Sequence, residues 1–332
     1  MQAGIQFAFE SWSLPVPVTI GLVLAAWLYL RGWFRLRRTL PDGIPAGRAG
    51  AFICGLFLVW IAVASPLASL DEELLSVHMV QHLLLMTVAA PLILLGAPSM
   101  PFLHGFPAAF VDSVLRPVFR SREAQRLGRV VTEPVFCWLA ATTVLIGWHV
   151  PALYARGLDS HTWHEVEHTS FFAAGLLFWW PVIPPWRGAL RFFRWSIVLY
   201  LFLATLPCDA LSAFLAFCDR VVYTSYLAAP RHFSISPLQD QEFAGVLMWV
   251  SVTFAYLMPA VFLTTRLLSP SRAEEDRLAL RILYEPDRWP SGPEVSAKSP
   301  AARAEKEVGC PESRQQQSSN ETNLGPAPPI ES

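Results

Sequence analysis

Charge is scarce in this chain of 332 residues. Charged residues make up 15% of it and hydrophobic residues 53%, whereas a soluble domain carries about a quarter charged residues. The shortage of charge predicts a protein embedded in a lipid bilayer. The net charge of −1 argues against a nucleic-acid partner, which would call for a clustered basic face.

Several chemical motifs are also missing. The five cysteines include no C-x-x-C pair, which excludes the thioredoxin-like and zinc-ribbon patterns. There is no nucleophile paired with a base and no glycine-rich phosphate loop, so we do not expect an enzyme. Residues 1–15 contain no Lys or Arg. A signal peptide begins with a charged region, and we therefore expect the first apolar segment to be a retained helix.

Long apolar segments dominate what is present. Seven of them approach the roughly 20 residues that cross the hydrocarbon core as a helix. They are, approximately, residues 16–33, 50–67, 74–95, 132–149, 169–183, 193–217 and 243–263. The sequence thus predicts an all-α polytopic membrane protein with a seven-helix domain over residues 1–268. Residues 269–332 are expected to form a tail, with a short surface helix at 272–284 and then a disordered segment.

The connections between these segments alternate in their content of Lys and Arg. One set holds none, none, one and two of these residues, and the alternating set holds five, five, three and four. Lys and Arg are enriched in cytoplasmic loops. We therefore predict that the amino terminus lies outside and that the carboxyl terminus and tail lie in the cytoplasm.

Seven of the eight histidines then fall on or near the outer face. On the third segment, His78, His82 and Met86 are spaced i, i+4 and i+8, which places them on one helix face. Met79 lies beside His82 at a spacing of three. The third segment thus predicts a stripe of imidazole and thioether groups.

The fifth segment carries a second stripe, and His149 closes the fourth segment nearby. The second stripe consists of His161, His164, Glu165 and His168, spaced i, i+3, i+4 and i+7. Two stripes at one depth predict an extracytoplasmic metal site. The expected ligands are His78, His82, His149, His164 and His168, with Met79 or Met86 as soft auxiliary ligands.

Imidazole suits copper, zinc and iron, and the addition of methionine favours Cu(I). The acidic run of Asp71, Glu72 and Glu73 above the third segment can attract cations. Taken singly, each histidine has an ordinary explanation as a hydrogen-bonded residue at the membrane surface. Taken together they favour a site, because polar groups at membrane depth are costly and usually functional.

Two other functions are compatible with these histidines. One is a haem protein with His82 and His168 as axial ligands. The other is a transporter of a small solute or metal ion through a histidine-lined cavity. The absence of internal repeats and of ionisable residues in the cytoplasmic half of the segments argues against transport.

Polar residues near the sixth and seventh segments are less informative. A charged Asp at the bilayer centre costs about 2.5–3.5 kcal/mol, and for Asp209 functional and structural roles are equally expected. Gln239, Asp240 and Gln241 precede the seventh segment. We expect them to cap that helix, with lining of the metal site as the alternative. Met248 is expected to be a packing residue.

The sequence resembles the membrane-integral CtaG family of bacterial cytochrome oxidase assembly factors over roughly residues 20–265. The motifs that carry the resemblance are His78-Met-Val-Gln-His82-Leu-Leu-Leu-Met86, Trp148-His-Val-Pro-Ala-Leu-Tyr154, Glu167-His168 with Phe178-Trp-Trp-Pro-Val182, and Asp240-Gln with Gly245 and Met248-Trp249. They occur in the expected order.

This resemblance implies a multi-pass protein of the bacterial plasma membrane that is needed to form active caa-type haem–copper oxidase. It also implies a role in copper supply, and it does not imply an enzymatic activity. The expected partners are oxidase subunits or a copper donor protein. Together with the histidine stripes, it leads us to expect copper at the predicted site.

Overall fold

The computed structural model describes residues 14–39, 44–183, 194–228 and 233–268, with Gln6, Phe9, Glu10 and Trp12. All of them belong to the first of two units into which the chain divides, Met1–Ala273. The predicted tail, its surface helix and His232 lie outside the described residues.

These ranges are helical, and no strand occurs among them. The α-helices are α1 (Val16–Thr39), α2 (Ala46–Ala64), α3 (Leu75–Leu83), α4 (Ala90–Leu95), α5 (Ser99–Gly105), α6 (Ala108–Phe110), α7 (Arg116–Arg120), α8 (Arg122–Val131), α9 (Pro134–Trp148), α10 (Pro151–Asp159), α11 (His161–Trp179), α12 (Arg194–Phe217), α13 (Ser225–Ala228) and α14 (Pro237–Leu268). A 3₁₀ turn covers Pro66–Ser69, and π-helical turns cover Leu84–Ala89 and Val111–Leu115. The predicted all-α class is confirmed.

Five helical stretches are long and apolar enough to cross a membrane. They are Val16–Thr39, Ala46–Ser69, Leu75–Leu95, Trp195–Phe217 and Pro237–Thr265. The bent pair of α8 and α9, with an angle of 64° between them, provides a sixth if it counts as one span. The predicted fifth segment corresponds to α11, whose first half carries three His and two Glu. The count of seven spans and the orientation of the termini stay predictions.

The third span is not a regular α-helix. It consists of α3, the π turn Leu84–Ala89 and α4, and the N–H of Ala90 donates to the carbonyl of Leu85, five residues earlier. Pro91 follows directly, and its lack of an N–H removes one bond of the regular α-helical series. Such π turns are frequent at functional sites, and this one separates α3, which carries two histidines, from α4.

Two groups of buried apolar side chains hold the helices together. The first, the apolar core, joins α1, α2, the π turn and α4, with α5 against it. In it Tyr29 stacks on Phe52 with ring centroids 3.9 Å apart. Helix α1 meets α5 at Gly32, where a Cβ would overlap the carbonyl oxygen of Pro101.

The second group joins α3, α9, α11, α12 and α14. Helix α14 lies along α12 and also contacts α3. Helix α11 approaches the third span closely, because a Cβ on Gly175 would lie 2.9 Å from the Cα of Met86. These close contacts bring the buried faces of α3 and α11 together.

Candidate metal centre

Helix α3 supplies the first two histidines. His78 and His82 are one helical turn apart, and their residues are 0% and 4% exposed. The start of this helix is capped from a distant part of the chain, since Asp240 Oδ2 accepts from the N–H of Leu75 at 2.6 Å and Oδ1 from that of Ser76 at 3.3 Å. A carboxylate at a helix N-terminus satisfies free N–H groups and complements the helix dipole.

Helix α11 supplies the partners, but with a different face from the one predicted. His161 and Glu165 point outwards, with side chains 87% and 60% exposed. The inward-facing series is instead His164, which is partly exposed, with the buried Glu167, His168 and Phe171, spaced i, i+3, i+4 and i+7. The predicted stripe was therefore correct for His164 and His168 and wrong for His161 and Glu165.

Two imidazoles of α3 lie against one carboxylate oxygen of α11. Glu167 Oε1 lies 3.2 Å from His78 Nε2 and 3.2 Å from His82 Nε2. The two Nε2 atoms are 2.7 Å apart, so at most one of them carries a proton between them. All three residues are buried, and their ligand atoms lie within 4.8 Å of one another, an arrangement that can hold a metal ion.

A second set shares His78. Asp71 Oδ2 lies 3.3 Å from His164 Nε2, and these two residues with His78 again place their ligand atoms within 4.8 Å of one another. Burial raises the pKa of Asp71 to about 6, against the opposing effect of a charge on His78. The carboxylate is therefore still mostly ionised at neutral pH and available to a cation.

His168 completes the arrangement of rings. Its ring centroid lies 4.3 Å from that of His164 and 5.1 Å from that of His82, and its Nε2 is buried without a hydrogen-bond partner. We call the resulting set the histidine–carboxylate cluster. It consists of Asp71, His78, His82, His164, Glu167 and His168.

The other predicted ligands lie beside this cluster. His149, Met79 and Met86 line a cavity that His82 also borders. The ring of Phe171 stacks on His82 at 4.0 Å and meets His149 edge-on at 6.4 Å, which separates His149 from the cluster. The structure thus brings four of the five predicted histidines together and assigns His149, Met79 and Met86 to the neighbouring cavity.

The cluster is rich in buried polar atoms that lack a hydrogen bond. Among the described residues, thirteen side-chain atoms are of this kind, and ten belong to the cluster, His149 and Gln81. Buried polar atoms in proteins are almost always paired, and exceptions call for an explanation such as a bound ion or water. Lone pairs on imidazole nitrogens and carboxylate oxygens fit a divalent cation of the first transition series.

The comparisons with known proteins are consistent with the motifs. A family model described as cytochrome c oxidase caa3 assembly factor (Caa3_CtaG) matches residues 27–269. The chain belongs to this family. The match covers every helix that contributes to the cluster, and the resemblance drawn from the motifs is confirmed.

Individual relatives are identical to this chain at only about a quarter of the aligned residues. An uncharacterized protein of Mycobacterium bovis is 25% identical over 300 residues, covering 82% of this chain and 44% of its own length. One of Mycobacterium leprae is 23% identical over 261 residues, covering 76% of this chain and 38% of its own. The chain thus spans less than half the length of these relatives. No solved structure matches it.

Tyrosines hold the Asp71 edge of the histidine–carboxylate cluster in place. Tyr226 donates to the backbone carbonyl of Asp71 at 2.8 Å, and its hydroxyl lies 2.7 Å from that of Tyr154. The ring of Tyr154 in turn lies 5.1 Å from that of His78. Burial raises the pKa of both phenols well above the ordinary value, so they stay protonated and can donate.

The predicted caps of α14 behave differently from one another. Gln239 does cap its own helix, because its Oε1 accepts from the N–H of Ser236 and its N–H donates to Ser236 Oγ. Asp240 caps α3 instead. Gln241 accepts from the N–H of Val222 at 2.7 Å and donates to the carbonyl of Arg220 at 3.0 Å.

Sequence reasoning missed the central residue of the cluster. Glu167 was identified only within a family motif, and Asp71 only as an attractor of cations. Gln81, fully buried with both amide atoms unpaired, was not singled out. Asp209 is half-buried and belongs to neither metal-competent group, and Cys208 and Cys218 are free thiols.

Proposed function

We propose that this protein binds copper in the histidine–carboxylate cluster and supplies it during assembly of a caa-type haem–copper oxidase. The observation that carries the proposal is the meeting of His78, His82 and Glu167 within 3.2 Å in a buried site. Membership of the caa3 assembly-factor family supports the assembly role. The partners would be an oxidase subunit as recipient and a copper donor protein.

The proposed topology places the cluster towards the outer side of the bacterial plasma membrane. In it, α9 and α11 cross as the fourth and fifth of seven spans, with the amino terminus outside and the tail in the cytoplasm. The alternation of Lys and Arg between connections supports this orientation. The cytoplasmic connections are then the ones that follow the first, third, fifth and seventh spans.

The ligand set suits a protein that holds an ion and later releases it. It offers four imidazoles and two carboxylates, and no cysteine belongs to it. Such nitrogen and oxygen ligands accommodate Cu(II) and also zinc. Membership of a cytochrome c oxidase assembly-factor family supports copper over zinc in this proposal. The role requires binding and transfer only, so no catalytic residue is assigned.

Assembly can be tested in cells that lack their own copy of the gene. The wild-type chain and a His161→Ala variant should restore oxidase activity and the copper content of the purified oxidase. His164→Ala should restore little of either. His161 and His164 lie on the same helix one turn apart, but only His164 belongs to the cluster. Equal restoration by both variants would refute the proposal.

The haem alternative has its own readout. The purified protein should show no Soret band, because the cluster packs its imidazoles against one another and leaves no gap for a porphyrin. A Soret band that is present in the wild type and lost in His82→Ala would show that the site binds haem and would refute the copper proposal.

A further inference from the structure

We infer that the cavity beside the histidine–carboxylate cluster is a separate site for Cu(I), with sulfur ligands that the cluster lacks. The inference rests on the proposed function and deepens it, because it assigns the two oxidation states of copper to two adjoining places. Six residues that line the cavity carry the argument. They are Met79, His82, Met86, His149, Cys208 and Met248.

The sulfur atoms come from three spans and are all buried. Met79 and Met86 belong to the third span, Cys208 to α12 and Met248 to α14. Their residues are 1%, 8%, 4% and 2% exposed. Packing alone can explain one methionine in such a place, but three methionines and a cysteine around one cavity form a soft ligand set.

His149 provides an independent sign that this cavity takes a ligand. Its Nδ1 lies 2.7 Å from the carbonyl oxygen of Leu145, and a carbonyl can only accept. The proton of the neutral ring is therefore on Nδ1, and Nε2 carries a lone pair. That Nε2 is buried without a hydrogen-bond partner, in a residue that is 7% exposed and borders the cavity.

The size of the cavity favours an ion over a larger ligand. About 40 Å³ of it is open to a water-sized molecule, which is room for about three waters at 10–15 Å³ each. Pockets for drug-sized ligands measure about 300–1,000 Å³. A metal ion fits, whereas a porphyrin or a lipid chain does not.

The chemistry of the lining selects Cu(I). Thioether and thiolate ligands prefer Cu(I), whereas carboxylates prefer harder ions, and no carboxylate borders this cavity. If Cys208 binds as the thiolate, its proton leaves to solvent and the single negative charge balances the single positive charge of the ion. An apolar surrounding favours such a neutral pair.

His82 connects the two sites. It belongs to the cluster through Nε2, which lies 3.2 Å from Glu167, and it also borders the cavity. The two places therefore share His82, and the ring of Phe171 stands between His149 and the cluster. Each place can thus hold its own ion, and the inference requires no transfer between them.

Silver serves as the probe, because Ag(I) has the ligand preference of Cu(I) and does not change its oxidation state. The purified full chain should bind Ag(I) at least tenfold more tightly than the variant Cys208→Ser with Met248→Leu. The matched control is Cys54→Ser with Met258→Leu, two exposed positions at which Ag(I) affinity should not change. Equal affinity in both variants would overturn the inference.

A Cu(II) titration of the same samples separates this inference from the proposed function. The cavity variant should keep the wild-type affinity for Cu(II), which also shows that it is folded. If neither protein binds Cu(II), the proposed function fails. If Cu(II) binding persists and Ag(I) binding is equal in both variants, only the inference fails.

X-ray absorption on the wild-type protein gives a test that needs no variant. With one equivalent of Cu(I) under anaerobic conditions, the copper should show sulfur neighbours. A spectrum with nitrogen and oxygen neighbours alone would contradict the inference.

Discussion

The apolar core and the histidine–carboxylate cluster are both buried, but they treat polar atoms in opposite ways. In the apolar core, Tyr29 donates to the carbonyl of Gly96 at 2.8 Å and Trp33 to that of Ile44 at 3.2 Å. In the cluster, every member has at least one buried polar atom without a hydrogen bond. The apolar core is thus complete by itself, whereas the cluster lacks partners that a bound ion can supply.

The two regions contribute different properties. The apolar core contributes stability through close packing, and an added methyl group would disrupt that packing. The cluster contributes binding, and sequences tolerate such locally unfavourable groups mainly at functional sites. Substitutions in the apolar core should therefore change the stability and have little effect on the amount of metal bound per folded molecule. Substitutions in the cluster should reduce metal binding and have little effect on stability.

The largest expected effect is on packing. Gly32→Ala should destabilise the protein by about 3 kcal/mol or more, because the new Cβ would overlap the backbone oxygen of Pro101 and force α1 away from α5. Gly21→Ala, on the same helix, meets nothing within 4 Å and should leave stability unchanged or slightly raised. Thermal unfolding in detergent measures both. Equal unfolding temperatures would show that α1 is not packed as described.

The next largest effect is expected on copper affinity, from a substitution that disturbs the cluster but removes none of its ligands. A Cβ on Gly157 would lie 2.6 Å from Glu167 Oε2, a side-chain atom that can move. Gly157→Ala should therefore weaken copper binding about tenfold, the lower end of the usual cost of disturbing a ligand's surroundings, and leave the protein folded. Gly147→Ala, with nothing within 4 Å, is the control for equilibrium copper titration. Unchanged affinity in Gly157→Ala would argue against Glu167 as a ligand.

A smaller effect is expected at the cap by which Asp240 of α14 holds the start of α3. Asp240→Ala should lower the free energy of unfolding by about 1 kcal/mol, because it leaves the N–H groups of Leu75 and Ser76 without their acceptor. Glu242→Ala changes an exposed acidic residue on the same helix and should have no measurable effect. Urea or thermal unfolding compares the two, and a cost in the control but not in Asp240→Ala would reject the cap.

The smallest effect is expected at the tyrosine pair beside Asp71. Tyr226→Phe removes the hydrogen bonds to the Asp71 carbonyl and the Tyr154 hydroxyl, for a loss of about 1 kcal/mol. Copper affinity should change by less than tenfold, because the Asp71 carboxylate stays in place. A complete loss of binding would mean that Tyr226 contacts the ion or its ligands more directly.

The sequence predicted the helical class, the long apolar helices and the meeting of His78, His82, His164 and His168. Length and hydropathy are local properties, and the spacing of His78 with His82 and of His164 with His168 places each pair on one face of its helix. The third span was also correctly located, although the π turn within it left no clear sign beyond Pro91.

Helix periodicity could not identify Glu167. The series starting at His161 and the series starting at His164 both follow the spacing i, i+3, i+4 and i+7, and spacing alone does not say which face is buried. The series that starts at His161 contains three histidines and a glutamate and was therefore the one predicted, but its members His161 and Glu165 are exposed. Only the packing of α11 against α3 selects the face with Glu167.

Long-range contacts explain the other misses. Asp240 caps a helix that starts 165 residues earlier in the chain, whereas sequence reasoning considers only the helix that follows. His149 lies near the cluster, but the ring of Phe171 stands between them. Neither contact leaves a local trace in the sequence.

The most direct test of the account compares two glutamates on α11 that are two residues apart. Copper bound to the purified protein should be measured by elemental analysis after equilibrium dialysis, for Glu167→Gln and for Glu165→Gln. Glu165→Gln, whose side chain is exposed, should keep the copper content of the wild type, and Glu167→Gln should lose most of it. The same copper content in both variants would show that Glu167 is not a ligand.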